Sequence, residues 1–496
     1  MKKATLPIPL LFALSSIMGS VAHAQTLSTL YSFCSQANCQ DGEVPLAPLA
    51  QGTDGNFYGT TEQGGENDFG TVFKITPSGN LATLYRFTGS TDGGYPDGAL
   101  TLTTGSEFYG TTSDDGDVRG GAGTAFKITP AGKLTTLVAF GPGGWAPEDG
   151  LLHATDGNFY GTTAWGGLYG SGTVFRMTAN GVLTYIYNFC SLQGCADGIE
   201  PVAALVQGTD GNLYGTTAVG GTNNSCNQVS GGCGTVFKIT PEGSFTTLYS
   251  FCSQTNCSDG AIPYDSLVQA ADGSLYGTTG FGGTGSVCPN QGPPGCGTVF
   301  RITPTGKFTT LHSFCVKAAC GDGAFPHAGL ALGTDGNLYG TTYSGVVNIP
   351  SEYGTIFRIA PSGTFRTLYT FCSQPNCADG GEPVANLLQA TNGSFYGTTP
   401  YGGSNGGGTL FSLSVGLGAF VQTVPTSGKV GSKVVILGNG LTGTTSVTFN
   451  GTSTTFAVNS TGTAITATVP GGATSGFVEV TTPSGTLTSN VKFRVP

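Results

Sequence analysis

The sequence predicts an all-β protein: a seven-bladed β-propeller closed by an N-terminal strand, followed by a small immunoglobulin-like β-sandwich. Three observations carry this expectation. A phrase of the form TDGNFYGTT recurs seven times, with its tyrosine at Tyr58, Tyr109, Tyr160, Tyr214, Tyr276, Tyr339 and Tyr396, at separations of 51 to 63 residues. A period of this size marks stacked repeats. A second phrase, TTLYSF in its commonest form, also recurs seven times, beginning at Ser28, Ala82, Thr135, Thr184, Thr246, Thr309 and Arg366, and its first copy precedes any YGTT. Finally, 84 glycines and only 9% charged residues leave too few helix formers for a helical protein.

Each repeat reads as four short strands. In the fourth these are VAALVQGT, NLYGTTAV, GTVFKIT and SFTTLYSF. Asp210-Gly211 turns the chain between the first and second, and Pro241-Glu242-Gly243 between the third and fourth. Glycine accepts the positive φ that such turns need, and proline presets its own φ. Adjacent apolar residues such as Leu213-Tyr214 and Val236-Phe237 point to opposite faces of their strands, so both faces are apolar. A sheet of that kind needs a neighbour on each side, and a radial array supplies both. The seventh repeat ends in GGGTLFSLSVGLGAF without a fourth strand, which the N-terminal segment can supply. The propeller is thus expected over residues 26–418, and the short alternating strands of residues 424–496 are expected to form a sandwich.

Residues 1–24 have the pattern of a signal peptide: Lys2 and Lys3, a short apolar run, then Ala22-His23-Ala24. Cleavage there leaves 16 basic residues against 28 acidic ones, a net charge of −12. Such a surface repels nucleic acid and anionic lipid, and no later segment is apolar enough to span a membrane. A secreted, monomeric protein is expected, extracellular, surface-located or periplasmic. The 14 cysteines fall into close pairs: Cys34 with Cys39, Cys190 with Cys195, Cys226 with Cys233, Cys252 with Cys257, Cys288 with Cys296, Cys315 with Cys320 and Cys372 with Cys377. In an exported chain these read as seven disulfides pinning long loops. Spacing and scattered histidines argue against a metal site, and no cofactor is expected.

The unit DGNLYGTTAVGG…GTVFKITPEG resembles the GloVer tandem repeat of exported bacterial choice-of-anchor proteins, over most of residues 27–415. More distantly it is similar to two-component-regulator propeller repeats. The tail SGKVGSKVVILGNGL…TSVTFNGTSTTF…ITATVPGGATSGFVEVTT resembles an IPT/TIG immunoglobulin-like domain. These resemblances imply the fold and carry over no catalytic residue.

Strand direction places the long loops, and with them every cysteine pair, on one face, where binding residues are expected. An Asp-Gly pair is read at the start of each blade, at Asp41, Asp97, Asp149, Asp197, Asp259, Asp322 and Asp379. Seven carboxylates near a channel mouth could hold a cation, but turn capping explains both residues of the pair better. Loop aromatics Trp145, Trp165, Tyr169, Phe281, Tyr343, Tyr353 and Tyr401 suit stacking on a sugar or docking a protein, against the alternative of packing between loops. Both tryptophans of the chain lie around the third blade, whose leading loop carries no cysteines. The acids Glu148/Asp149 and Asp114, Asp115, Asp117 offer carboxylate pairs, but adjacency in sequence does not supply a glycosidase geometry. Lys74, Lys127, Arg176, Lys238, Arg301 and Arg358 recur at one strand position, with Ser412 in the seventh blade, and are expected to reach turn acids. His153 and His312 replace repeat residues and read as structural. The leading expectation is an exported binding or surface-interaction protein with a glycan or protein partner. A carbohydrate-active hydrolase or lyase is the alternative, and a structural envelope or matrix role the third.

Overall fold

The computed structural model describes residues 25–114, 122–223, 226, 231–285, 288, 295–345 and 353–496. The expected signal segment, and Asp115 and Asp117, lie outside the described residues. Strand makes up 43% of the chain, and no α-helix occurs among the described residues. The described residues form nine four-stranded antiparallel sheets, seven of them from the repeat region, which has a propeller-like fold.

The first repeat shows the plan: β2 (Ala50–Gln51), β3 (Phe57–Thr61), β4 (Thr71–Ile75) and β5 (Leu81–Arg86), paired in that order. The N-terminal strand β1 (Thr26–Ser32) pairs instead with Thr409–Ser414 of the seventh repeat and completes that sheet. The first strand of each repeat is far shorter than its sequence suggests. VAALVQGT is strand only at Val206–Gln207. The residues before it, from Pro201 onward, lie outside the strand and follow the Ile199/Val219 bridge.

The recurring phrase is accounted for residue by residue. Asp54 accepts hydrogen bonds from Asn56 Nδ2 (2.7 Å) and Tyr58 Oη (2.9 Å), tying turn to strand. Tyr58 lies on Phe108 of the next sheet with ring centroids 4.2 Å apart. Gly59 has no side chain because the Phe73 ring lies over it: a Cβ would sit 2.6 Å from that ring. The first threonine reaches the next repeat, as in Thr162 Oγ1 to Ala203 O at 3.0 Å, and the second pairs with a threonine of strand three, as in Thr61 with Thr71 at 2.9 Å.

The same contacts join the last repeat to the first. Tyr396 stacks against Phe57 at 4.2 Å, matching Tyr339 against Phe395. Thr391 N–H donates to Gln51 Oε1 at 3.0 Å, as Thr334 N–H does to Gln389 Oε1 and Thr209 N–H to Gln269 Oε1. Sheet contacts therefore run around the whole repeat region without a break.

The remaining two sheets have the orders Gln422–Val424, Lys433–Leu437, Ala464–Thr468, Phe456–Val458 and Thr452–Ser453, Ser446–Phe449, Val478–Thr482, Gly485–Thr488. They share one core, which includes Ile436, Ile465, Val447, Val480 and Phe493. This module rests on the short-turn face of the repeats. Asn459 Nδ2 and Thr463 Oγ1 donate to Thr53 O at 2.8 and 2.7 Å, and Asn439 Nδ2 donates to Thr391 Oγ1 at 2.8 Å.

Candidate functional site

The opposite face is a rim built from two loops per repeat. One loop joins strands two and three, and the other links strand four to the next repeat. An isolated bridge ties the pair together in every repeat: Glu43/Gln63, Gly94/Asp114, Trp145/Trp165, Ile199/Val219, Ala261/Phe281, Ala324/Ser344 and Gly381/Tyr401. The residue after the first member of each bridge is left-handed and precedes a proline throughout, with φ between 54° and 58° at Val44, Tyr95, Ala146, Glu200, Ile262, Phe325 and Glu382. Side chains are rarely held there unless surrounding structure over-determines them. Here the N–H and carbonyl of each are tied to neighbouring loops, as in Glu200 N–H to Ser171 O (3.1 Å) and Ala218 N–H to Glu200 O (2.9 Å). Backbone geometry is thus constant around the rim, while the side chains it displays differ from repeat to repeat.

All seven disulfides join nearest neighbours: Cys34–Cys39, Cys190–Cys195, Cys226–Cys233, Cys252–Cys257, Cys288–Cys296, Cys315–Cys320 and Cys372–Cys377, with Cα–Cα distances of 4.0 to 5.6 Å. Five close the loop that follows strand four, and two lie between strands two and three. Main-chain bonds add to the sulfur bridge at the second cysteine of those five, as Cys195 and Cys377 show. Each ends a single 3-10 turn, Gln193–Cys195 and Pro375–Cys377, which the sequence reading did not include. Each is itself left-handed, with φ of 53° at Cys195 and 51° at Cys377. The physical reason is main-chain bonding. Cys195 O accepts from Gly198 N–H and Gly221 N–H, both at 2.9 Å, and Cys377 O accepts from Gly380 N–H at 2.8 Å and Gly403 N–H at 2.9 Å. These carbonyls tie the cysteine turn to the loop between strands two and three, so Cys195 and Cys377 hold the rim through backbone as well as through sulfur.

Three groupings of cysteines, one of them with Glu43, bring possible metal-ligating atoms together among the described residues; their sulfurs are already bonded, and Cys195 and Cys377 belong to none of them. No helix among the described residues is long and apolar enough to cross a membrane.

The turn carboxylates cap their own loops. Asp41 accepts from Tyr31 Oη (2.7 Å), Ser35 N–H (2.9 Å), Ser35 Oγ (2.8 Å) and Gln36 N–H (2.9 Å). Burial works against its ionisation, but these bonds outweigh burial and hold its carboxyl below the usual range. The arrangement recurs at Asp197, Asp259 and Asp379, and at Asp322, where His312 Nε2 takes the tyrosine's place at 3.0 Å. Two of the expected members are wrong. In the second repeat the capping residue is Asp92, bonded to Tyr85 Oη and Thr88 N–H at 2.9 Å each; in the third the site is Gly143-Gly144. Asp97 and Asp149 follow the recurring proline instead, which moves them from the turn to the lumen.

Asp149 and Asp265 staple the axis. Asp149 accepts main-chain N–H groups from three consecutive repeats: Gly150 at 2.6 Å, Ala204 at 2.7 Å, and Ala99. Asp265 accepts from Ser266 N–H, Gly329 N–H and Asn386 Nδ2, the last at 3.2 Å. The first repeat has Pro48 at the equivalent position and therefore offers no N–H. Burial and the charge of Asp265 push Asp149 up to about 7 against the opposing N–H bonds, and burial also raises Asp265.

Above this pair the rim is acidic on one side. Burial and then Glu62 push Asp97 up to about 8, with Ser113 opposing through a hydrogen bond and Glu148 adding to the rise. Burial and Glu200 raise Glu148, and burial raises Glu200 itself. On the other side lie Tyr264, His327 and Tyr343, with His327 5.0 Å from each ring. Burial lowers His327 to about 4, so it is neutral at physiological pH.

The expected aromatics divide into two groups. Trp145 and Trp165 stack at 6.0 Å with 28° between planes, and Trp145 is 41% exposed. Tyr169 beside them is 54% exposed. Tyr401 stacks on Tyr353 at 4.9 Å and is 43% exposed. Phe281 packs on Phe325 at 5.4 Å, and Tyr343 bonds Glu382 at 3.1 Å, so both of these sit within the wall. The repeated strand cations reach turn acids at Lys74–Asp54 (3.9 Å), Lys127–Glu107 (3.2 Å) and Arg301–Asp272 (3.0 Å). Sequence reading missed Glu62, Glu200 and Asp265. Each follows a fixed offset from the recurring YGTT or proline, and that offset was their only signal.

Fold and rim together define a repeat protein of propeller-like architecture that displays varied side chains on an invariant frame. The model of the Gloeobacter/Verrucomicrobia repeat matches residues 14–229, 123–319 and 226–465, and the chain belongs to that family. No curated protein sequence matches it. Among solved structures, a fungal alcohol oxidase of the AA5 family in complex with copper is 12% identical, with a TM-score of 0.49, covering 95% of this chain and 98% of the other. An auxiliary nutrient binding protein from Bacteroides ovatus is 12% identical, with a TM-score of 0.38, covering 79% of this chain and 76% of that one.

Proposed function

We propose that this is an exported binding protein: a seven-bladed propeller over residues 26–418 whose rim takes an extracellular glycan or protein, with an IPT/TIG-like module over residues 424–496. Residues 1–24 act as its signal peptide. The single observation that carries the reading is the Trp145/Trp165 stack, with Trp145 exposed, the only rim bridge among the described residues whose two members are both aromatic. Paired indoles offer a large, rigid, apolar face with polar N–H edges, the chemistry suited to a sugar ring or a partner's hot spot. Tyr169 extends that surface, Tyr401 forms a second one, and Phe281 and Tyr343 shape the wall between. A glycan array and pull-down with the full chain test it. The Trp145→Ala/Trp165→Ala double variant should lose at least tenfold in affinity while keeping its melting temperature. Undiminished binding by a folded double variant would sink the rim assignment.

A second reading, a carbohydrate-active enzyme, draws support from Asp97 and Glu148. An acid held protonated near neutrality is what general acid catalysis requires. Asp149 is not available to that chemistry, because its oxygens are committed to main-chain N–H groups. Release of reducing ends from a bound glycan, abolished in Glu148→Gln, would favour this reading over binding alone.

A further inference from the structure

Away from the rim, the C-terminal module meets the short-turn face unevenly. It is bonded to the first and seventh repeats, reaches the fourth through Arg494 at Gly211, and leaves a cleft beside that contact. Two adjoining cavities lie in this cleft. One, of about 170 Å³, is lined by His153, Gln207, Ser427, Lys492 and Arg494 among others and by no acidic residue. The other, of about 310 Å³, shares Val206, Gln207, Thr209, Thr426 and Lys492 with it, and continues along Val268, Ala270, Leu332 and Phe477.

Three polar atoms of the smaller cavity are unmet, while its Gln207 bonds Thr155 and Gly211. Arg494 Nη1, Ser427 Oγ and His153 Nδ1 are all buried without a hydrogen-bond partner. Arg494 takes part in none of the ion pairs among the described residues; its guanidinium instead lies against the turn glycine Gly211, 3.4 Å from where a Cβ would stand. Lys492 Nζ stands 5.9 Å from the centre of the Phe477 ring, at the junction of the two cavities. Arg494 is half-buried and Lys492 exposed, so it is the one buried nitrogen, Nη1, that lacks a partner, and an anion would supply one. The protein as a whole carries a net charge of −10, yet the lining of the smaller cavity holds two cations and no carboxylate. The larger cavity is apolar where it leaves Lys492, which suits a body rather than a second charge.

We propose that the cleft binds a small amphipathic organic anion, with a carboxylate or phosphate head on Arg494, Ser427 and Lys492 and an apolar body against Val268, Leu332 and Phe477. Arg494 forks onto the head, Ser427 Oγ donates to it, and Lys492 closes it from the junction. The site is independent of the rim, since no rim residue contributes to it.

The probes are benzoate and phenyl phosphate, which share a ring and differ in the head, titrated calorimetrically into the full chain. Binding of either is expected, and the preferred one identifies the head. Arg494→Met should weaken it at least tenfold. Since Arg494 also touches the repeat face, Ala271→Trp provides a second variant. It narrows the apolar cavity from an exposed turn and should weaken the ligand at least tenfold with Arg494 intact. The Trp145→Ala/Trp165→Ala variant should bind as wild type. Absence of binding by the folded wild-type chain, or affinity unaltered in Ala271→Trp, overturns the proposal.

Discussion

Asp149→Ala tests the axial staple directly. The substitution removes the acceptor for the N–H groups of Ala99, Gly150 and Ala204, one from each of three consecutive repeats. A buried donor left without a partner costs about 1–3 kcal/mol. Water entering from the lumen can serve some of the three, and relief of the repulsion with Asp265 offsets more, so the net loss should be about 2–4 kcal/mol. The sign of the pH dependence follows from the raised carboxyl. Between the usual aspartate value near 3.8 and about 7, the folded protein holds a proton that the unfolded chain has shed. Unfolding in this window releases that proton, so this contribution is complete at low pH and is lost as pH rises through 7. Its slope is up to about 1.4 kcal/mol per pH unit. Urea denaturation of wild type, Asp149→Ala and the Asp149→Asn/Asp265→Asn double variant at intervals from pH 4 to 8 measures both quantities. The double variant should show a shallower decline than wild type; Asp97, raised to about 8, leaves a residue of the slope in both. An Asp149→Ala midpoint equal to wild type, or a full wild-type slope in the double variant, would refute the reasoning.

Two further outcomes follow from packing and from closure. Gly59→Ala places a methyl 2.6 Å from the Phe73 ring and 2.9 Å from Leu49, and should destabilise by about 1–3 kcal/mol in the same denaturation assay. Deleting the residues through Phe33 strips β1 from Thr409–Ser414 and leaves an open sheet edge; size-exclusion chromatography should show association in place of a single monomer peak.

The repeats were legible because the residues that build them are copied. Tyr58, Gly59, Thr60 and Thr61 make contacts that every sheet must make, so they recur and announce themselves. The missing fourth strand of the seventh repeat was legible for the same reason. The cysteine pairing could be read from spacing, but the 3-10 turns ending at Cys195 and Cys377 could not, because they depend on glycine N–H groups from another loop. The rim was harder still. Trp145 and Trp165 could be picked out by residue type, but their stacking depends on a bridge between loops 20 residues apart. Asp97 and Asp149 were misplaced because Asp-Gly is common turn chemistry. Only the count from Pro96 and Pro147 puts them in the lumen, and Asp265, followed by serine, lacked even that cue. The cationic cleft was invisible in sequence, since Arg494 and His153 lie 341 residues apart and meet only when two modules dock.

The lumen narrows at the Asp149 and Asp265 staples toward the rim, and beneath them Val424 and Pro425 wall a cavity together with Ala99, Gly150 and Ala204. A ring of sheets invites comparison with a pipe, but this one is a cup set on a pedestal. If rim and cleft both bind as proposed, the two ligands enter from opposite faces and share no lining residue, so neither competes directly for the groups that hold the other.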